Sequence, residues 1–274
     1  MIANARMYDV SKPVAMAWRA LLARLAERAG LALNYVEHAP PTPISALWAR
    51  PDCGCVFMCG LPYVTSARRP HLLAAPVPSL PRYGDRPVYF TEFIVRTDAN
   101  VHSLAQTFGG RLACMLGESN SGHNAPRHYL LNHAPAGARA LYRSTISPTP
   151  TPLAVIDAVA SAQAEVGVVD SYVLDLLRLH SPERLGQLKT VAVTPASPIP
   201  PLVASSEISG ETVARIRAVL LDLHHDADAA VQMATLALAR FAPMEESDYA
   251  LLAGYADRAD AAGFALTGDI PTVV

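Results

Sequence analysis

The sequence predicts an α/β fold in which parallel strands form a sheet covered by helices on both faces. Three observations carry this expectation. Strand-like and helix-like segments alternate from the first residues, the pattern that buries a parallel sheet between helices. The 274 residues are 51% hydrophobic and 17% charged, which supplies a sizeable core and excludes a disordered chain. The prolines cluster at 40–43, 76–87, 148–152 and 195–201, where they read as rigid connections between elements. At roughly 150 residues per domain the length makes about two domains, or one large one.

Taken in order, Ile2 to Tyr8 reads as a strand. Ser11 offers an N-cap and Pro13 a first turn for a helix ending at Gly30, with Ala15, Trp18, Leu22 and Leu25 spaced by three and four on one buried stripe. Leu33 to Glu37 is the next strand, and Thr42 with Pro43 opens a short helix through Trp48. Gly54 to Met58 is a third strand, closed by a turn at Cys59-Gly60-Leu61-Pro62. Pro87 to Arg96 is an apolar strand, and Ser103 to Phe108 is a short helix ended by Gly109-Gly110. Arg111 to Met115 is a strand leading into a helix from His123 to Asn132. A strand near Leu141, a helix from Pro152 to Ala164 and a strand from Val166 to Val169 ending in Asp170 follow. Two strands near Val191 and Val203 precede a helical tail from Ser209, marked by Val213, Ile216, Leu220 and Leu223.

Composition also sets limits on function. Basic and acidic residues nearly cancel, 22 against 24, so no global field holds a nucleic-acid backbone, and nucleic acid is not an expected partner. The long apolar stretches, such as Leu185 to Ser206, are broken by prolines, here at 195, 198, 200 and 201, so no membrane span is expected. Met1 to Val10 lacks a basic segment followed by an apolar one. The chain as written therefore reads as cytoplasmic, or as periplasmic if it is a processed form. Cys53, Cys55 and Cys59 lie within seven residues, with Cys114 apart. Metal ligation there competes with burial of inert thiols in an apolar strand; the spacing is not a paired C-x-x-C set, so core cysteines are favoured. No cofactor and no metal are expected. His128, His224 and His225 sit on helices and are read as surface or satisfied residues, and no Ser-His-Asp set can be assembled.

The sharpest local signal is Gly117-Glu118-Ser119-Asn120-Ser121-Gly122, placed between a strand and a helix. Small hydroxyl residues and a glycine at a helix start expose backbone N–H groups to a common point, where the helix dipole also favours an anion. Two readings stand side by side: an anion cradle, and a helix capped by Ser121. Neither a Gly-Lys-Ser/Thr ending nor G-x-G-x-x-G spacing occurs, which removes nucleotide hydrolysis.

These residues, with others along the chain, resemble the phosphate/phosphonate-type substrate-binding proteins of ABC transporters, which have the type II periplasmic binding protein fold. Ala5-Arg6-Met7-Tyr8-Asp9 is similar to the family's first strand with its Met-Tyr end, and Cys59-Gly60-Leu61-Pro62-Tyr63-Val64-Thr65 to its Cys-Gly-x-Pro turn. Tyr89 to Arg96 resembles the strand that crosses between lobes, and Ser119-Asn120-Ser121-Gly122-His123-Asn124-Ala125 the Ser-x-Ser-Gly loop. Ala164 to Ser171 resembles a strand ending in aspartate, and Asp248-Tyr249 a tail motif.

The resemblance implies two α/β lobes, each a mainly parallel sheet flanked by helices, with the ligand in the cleft between them. Lobe I would comprise 1–92 and 193–274, and lobe II 93–192. Ser119, Asn120, Ser121, Gly122 and His123 would take the ligand's anionic oxygens, and Asp170 would face a cationic or hydroxyl group. Tyr8, Tyr63 and Tyr89 would come from the other lobe, although each also fits a core position with its hydroxyl satisfied. The stretch Ser144 to Pro152 departs from the family: it keeps hydroxyls but lacks the usual histidine, so the resemblance leaves the oxyanion unidentified. Glu92 adds an acidic group to the cleft or points to solvent, with solvent favoured. The implied function is capture of a small anionic solute for an ABC transporter permease. A cytoplasmic enzyme or sensor on the same fold is the alternative.

Overall fold

The computed structural model describes residues 1–268, the side chains of 147 and 148 excepted. Along the chain the elements are β1 (Ile2–Asn4), α1 (Lys12–Ala29), β2 (Asn34–Tyr35), α2 (Ile44–Trp48), β3 (Cys53–Phe57), α3 (Gly60–Thr65), β4 (His71–Pro78), β5 (Val88–Tyr89) and β6 (Thr91–Arg96). They continue with β7 (Arg111–Met115), a π turn (Asn120–Asn124) running into α4 (Ala125–Leu131), β8 (Ser144–Thr149), α5 (Pro152–Ala160), β9 (Val166–Asp170) and α6 (Ser171–His180). The last are β10 (Leu188–Val193), β11 (Ser197–Pro198), β12 (Leu202–Ala204), α7 (Gly210–Asp222), α8 (Ala230–Thr235), β13 (Leu238–Ala242) and α9 (Glu246–Ala261).

These elements form two units. One contains Met1–Tyr89 and Pro198–Tyr249, the other Phe90–Ser197 and the chain from Ala250 onward. In the first unit the six strands lie in the order β13-β4-β12-β3-β1-β2. The helix α1 begins one residue after Ser11 and ends at Gly30, whose φ of 60° lets its N–H reach back to Ala26 and Glu27. Ser11 has the extended backbone of a cap, but its hydroxyl makes no cap bond. The buried stripe of α1 is Val14, Trp18, Leu21, Leu22 and Leu25, while Ala15 sits at its margin. Trp18 and Tyr8 both pack edge-on against Phe57 of β3, each with ring centroids 5.0 Å apart.

In the second unit the order is β10-β6-β9-β7-β8. Val166 and Val168 of β9 join Phe93, Leu112, Leu130 and Phe264 in one core cluster. On the other face Gly167 lies against α5, where a Cβ would come within 2.7 Å of both Val155 and Val159. The sheet is thus covered on both faces, as alternation predicts.

Several expectations need correction. Neither sheet is mainly parallel. In the first, β2, β1 and β3 are parallel while β12, β4 and β13 pair antiparallel; in the second, β7 is parallel to β8 and β9 while β6 is antiparallel to β9 and β10. The antiparallel members include β4 and β13, which the sequence pattern missed. Pro76 and Pro78 disguise β4 as a connection. β12 pairs with β4 only as far as Ala74, so both prolines lie where the strand has β13 alone as neighbour and a missing N–H costs little. The expected first strand stops at Asn4 and turns through a 3-10 helix at Arg6–Tyr8, and the expected turn at Cys59–Pro62 is the start of α3. The strand near Leu141 lies at Ser144–Thr149, and α6 was not anticipated.

The tail also changes place. The lobe boundaries of the sequence reading put everything from 193 onward in lobe I, yet from Ala250 the chain belongs to the second unit. Arg127 explains this: its Nε donates to Phe264 O at 2.7 Å and it pairs with Asp260 at 2.7 Å.

Candidate functional site

Because β7, β8 and β9 run parallel, their carboxyl ends share one edge of the second unit's sheet, the place where such sheets collect ligands. Three connections leave this edge: 116–119 after β7, 150–151 after β8, and Asp170 at the end of β9. The antiparallel β6 starts there too, with Thr91 in register with Asp170.

The turn after β7 is held by its own side chains. Ser119 is the cap, its Oγ accepting from Gly122 N at 3.1 Å, so the capping role expected of Ser121 belongs to Ser119. Ser121 lies inside the turn, and its carbonyl accepts from Thr91 Oγ1 at 2.9 Å. Asn124 N donates to Ser119 O and Ala125 N to Asn120 O, five-residue spacings that make a π turn, a form that recurs at functional sites. Gly122 is required because a Cβ there would lie 2.5 Å from Met115 Cβ. At the head of this helix the amides of Ser121 and His123 have no carbonyl behind them within the helix, and the helix dipole adds its positive end.

No lysine or arginine lies between residues 117 and 123. His123 adds no positive charge at neutral pH, because burial first, and Arg127 second, lower its pKa. Its Nδ1 is buried without a partner among the described residues. Asp170 is fixed at the same edge by capping α6, with Oδ1 accepting from Tyr172 N at 2.7 Å and Val173 N at 3.2 Å. The arrangement offers neutral donors at a helix start, with the carboxylate of Asp170 on the same edge and Glu118 in the connection before the turn.

Of the residues singled out in the sequence, Ser119, Asn120, Ser121, Gly122, His123 and Asp170 are therefore gathered in the second unit. Tyr8, Tyr63 and Tyr89 belong to the first unit, where all three are buried. Tyr8 packs on Phe57, and Tyr63 meets Tyr249 with ring centroids 5.4 Å apart. Burial raises the Tyr63 hydroxyl pKa, partly offset by Arg69. Glu92 does not face solvent: it is 2% exposed, takes both guanidinium nitrogens of Arg178 at 3.2 and 2.8 Å, and accepts from Thr190 Oγ1 at 2.5 Å.

Two hydroxyls of the segment that lacks the family histidine serve the backbone. Thr149 Oγ1 donates to Cys114 O at 2.9 Å, and Thr151 Oγ1 accepts from Ala154 N at 3.2 Å; the side chain of Ser147 lies outside the described residues. Cys53, Cys55 and Cys59 are buried and unbridged. Desolvation pushes the Cys53 thiol up to about 12 and that of Cys55 well above its ordinary value, which suits inert core positions. Thr91 and Asn124 were not anticipated. Thr91 hides at the head of an apolar strand, and Asn124 would have been found by its four-residue spacing from Asn120, which places both on one helix face.

The comparisons bear on this arrangement. A family model described as ABC transporter, phosphonate, periplasmic substrate-binding protein matches residues 10–249. A binding-protein component of an ABC phosphonate transporter from Pseudomonas aeruginosa has a TM-score of 0.79 at 19% identity, covering 98% of this chain and 90% of that one. PhnD1 from Prochlorococcus marinus in complex with methylphosphonate has a TM-score of 0.77 at 15% identity, covering 95% and 98%. A Xanthomonas citri protein bound to ATP has a TM-score of 0.64 at 19% identity, covering 96% and 97%. No curated protein matches the chain in sequence. The fold is that of type II periplasmic binding proteins, and the family match favours solute binding over the enzyme or sensor alternative.

Proposed function

Because the chain belongs to the family of periplasmic substrate-binding proteins of ABC phosphonate transporters and is a solute-binding protein, we propose that residues 119–123 take the oxygens of a small phosphonate-like oxyanion. The observation that carries this is the π turn Asn120–Asn124 at the carboxyl end of β7, with Ser119, Gly122 and Thr91 fixing its shape. Oxyanion oxygens only accept hydrogen bonds. The amides of Ser121 and His123 and the Ser121 hydroxyl supply donors without a full positive charge, so recognition relies on geometry and the helix dipole. Asp170, held at the same edge, disfavours a second negative charge and accepts from a hydroxyl or amino group on the ligand. The family implies a transporter permease as partner and a periplasmic location, the second of the two locations that the sequence left open. No helix among the described residues is long and apolar enough to cross a membrane.

Thermal unfolding against methylphosphonate, inorganic phosphate, phosphite, a sulfonate, a carboxylate and ATP tests the proposal. A ligand at a hundred times its Kd adds about 2.7 kcal/mol, several degrees for a chain of this size. A rise with one or more phosphorus oxyanions, reduced about tenfold in affinity by Ser121→Ala with the ligand-free Tm unchanged, is expected. No rise with any phosphorus oxyanion, or full affinity in Ser121→Ala, overturns it.

A further inference from the structure

One carbonyl in the turn after β7 finds no donor within its own helix. The bonds of the π turn span five residues: Asn124 N donates to Ser119 O and Ala125 N to Asn120 O. The next bond of the series would run from residue 126 to Ser121 O, but residue 126 is proline and has no N–H. The tighter α-helical bond to Ser121 O would need Ala125 N, which Asn120 O already holds. A buried carbonyl must then be satisfied from elsewhere.

The donor comes from β6. Thr91, at the head of that strand, gives its Oγ1 hydrogen to Ser121 O at 2.9 Å. Thr91 is 1% exposed, so water does not compete for the bond. Its backbone is held by Thr194, just beyond β10: Thr91 N donates to Thr194 Oγ1 at 3.0 Å, and Thr194 N to Thr91 O at 2.9 Å. The hydroxyl is thus aimed from a fixed strand, and a β-branched side chain has few rotamers in which to turn away. At the other end of the same peptide unit, Gly122 N donates to Ser119 Oγ at 3.1 Å. The planar Ser121–Gly122 peptide is therefore gripped by a hydroxyl at each end. The grip matters because Gly122 has no Cβ to hinder a flip of that peptide. A flip would turn the Ser121 carbonyl toward the head of the helix, where it would repel an oxyanion.

We propose that Thr91 is a positioning residue whose hydroxyl replaces the amide hydrogen that Pro126 lacks, holds the Ser121–Gly122 peptide, and so keeps the flanking Ser121 and His123 amides directed at an oxyanion. This inference rests on the proposed oxyanion site and deepens it. Thr91 acts through the turn and does not itself meet the ligand.

Calorimetric titration of methylphosphonate and inorganic phosphate into the wild-type protein, Thr91→Val, Thr91→Ser and the Thr91→Val/Pro126→Ala double variant tests this. Valine keeps the shape of threonine without its hydroxyl and should lower affinity about tenfold. Serine keeps the hydroxyl and should bind as the wild type does. In the double variant residue 126 gains an N–H five residues beyond Ser121, which should restore part of the affinity lost in Thr91→Val. Wild-type affinity in Thr91→Val, a Thr91→Ser variant as weak as Thr91→Val, or a double variant no tighter than Thr91→Val overturns the proposal.

Carbonyl-carbon spectra of the ligand-free protein provide a readout independent of binding. The Ser121 carbonyl signal follows the hydrogen bond it accepts, so it should move in Thr91→Val and return in Thr91→Ser. A Ser121 signal unmoved in Thr91→Val overturns the positioning role. A signal that moves as expected, in a wild-type protein that binds neither methylphosphonate nor phosphate, supports the hold and counts against the oxyanion site alone.

Discussion

Gly122 and Gly167 show how single atoms set this molecule's tolerances. At Gly122 the obstacle is Met115, 2.5 Å from a would-be Cβ; at Gly167 it is Val155 and Val159, each at 2.7 Å. A side chain at either position forces neighbours to move, an overpacking cost of about 1–3 kcal/mol. Gly167→Ala is expected to lower stability by that amount in urea unfolding while leaving oxyanion affinity in the folded protein unchanged. Gly122→Ala should lower both, because Met115 backs the turn itself. The cysteines make a different prediction. With Cys53, Cys55, Cys59 and Cys114 all buried, the native protein should react slowly with a thiol reagent, and rapidly once unfolded in urea; fast reaction in the native state would contradict their placement. Burial of the 53–59 cysteines was legible because they flank an apolar strand, whereas the pairing of Glu92 was not: nothing in Thr91-Glu92-Phe93 announces an arginine 86 positions away.

At the scale of elements, α9 and the chain after it are joined to the π turn and α4 through Asn124 of the turn and Arg127 and His128 of α4. His128 stacks on Tyr255 with centroids 4.4 Å apart, and its Nε2 lies 3.4 Å from both Arg258 Nη2 and Asn132 Nδ2. Arg258 also lies over the Tyr255 ring. Those neighbours need Nε2 as an acceptor, and protonation would set an imidazolium against a guanidinium. Burial first, and Arg258 second, accordingly lower the His128 pKa. The unfolded chain then binds a proton more readily than the folded one, so stability is complete above the ordinary value of 6.5 and declines as pH falls below it. His123 is shifted in the same direction. His128→Gln should reduce, without abolishing, the fall in Tm between neutral and mildly acidic pH; an unchanged profile would contradict the clasp.

A second element-scale prediction concerns Arg178, which joins β6 to α6. It pairs with Glu92 and with Asp175 at 2.6 Å, and both carboxylates are nearly inaccessible. Arg178→Ala leaves them buried without the guanidinium and should cost about 2 kcal/mol, less than for a fully buried pair because the arginine itself is partly exposed. Glu92→Gln should cost less than Arg178→Ala in chemical unfolding.

For the whole molecule, the chain passes between the two units three times, between Tyr89 and Phe90, Ser197 and Pro198, and Tyr249 and Ala250. Deleting the chain from Ala250 removes Leu252, Asp260 and Phe264, the partners of Asn124 and Arg127. Hydrogen exchange should then show lost protection in α4 and the 119–123 turn, while α1 and β3 retain theirs. Equal loss in both units, or in neither, would contradict the assignment of the part of α9 from Ala250 to the second unit.

The sequence by itself determined the alternation of strands and helices, the stop of α1 at Gly30, the burial of the cysteine strand and the position of the small-residue turn after β7. All of these depend on residues close together in the chain: a glycine after a helix, an apolar run, small residues between a strand and a helix. Tertiary structure alone decided the rest. The direction of β4, β12 and β13, the placement of the tail in the second unit, the ion pair that removes Glu92 from solvent and the bond from Leu252 to Asn124 join residues separated by up to 167 positions, as in Ala75 of β4 with Ala242 of β13. Local propensity carries no term for such partners. Their energies come from burial and hydrogen-bond satisfaction, which exist only once the chain has closed on itself.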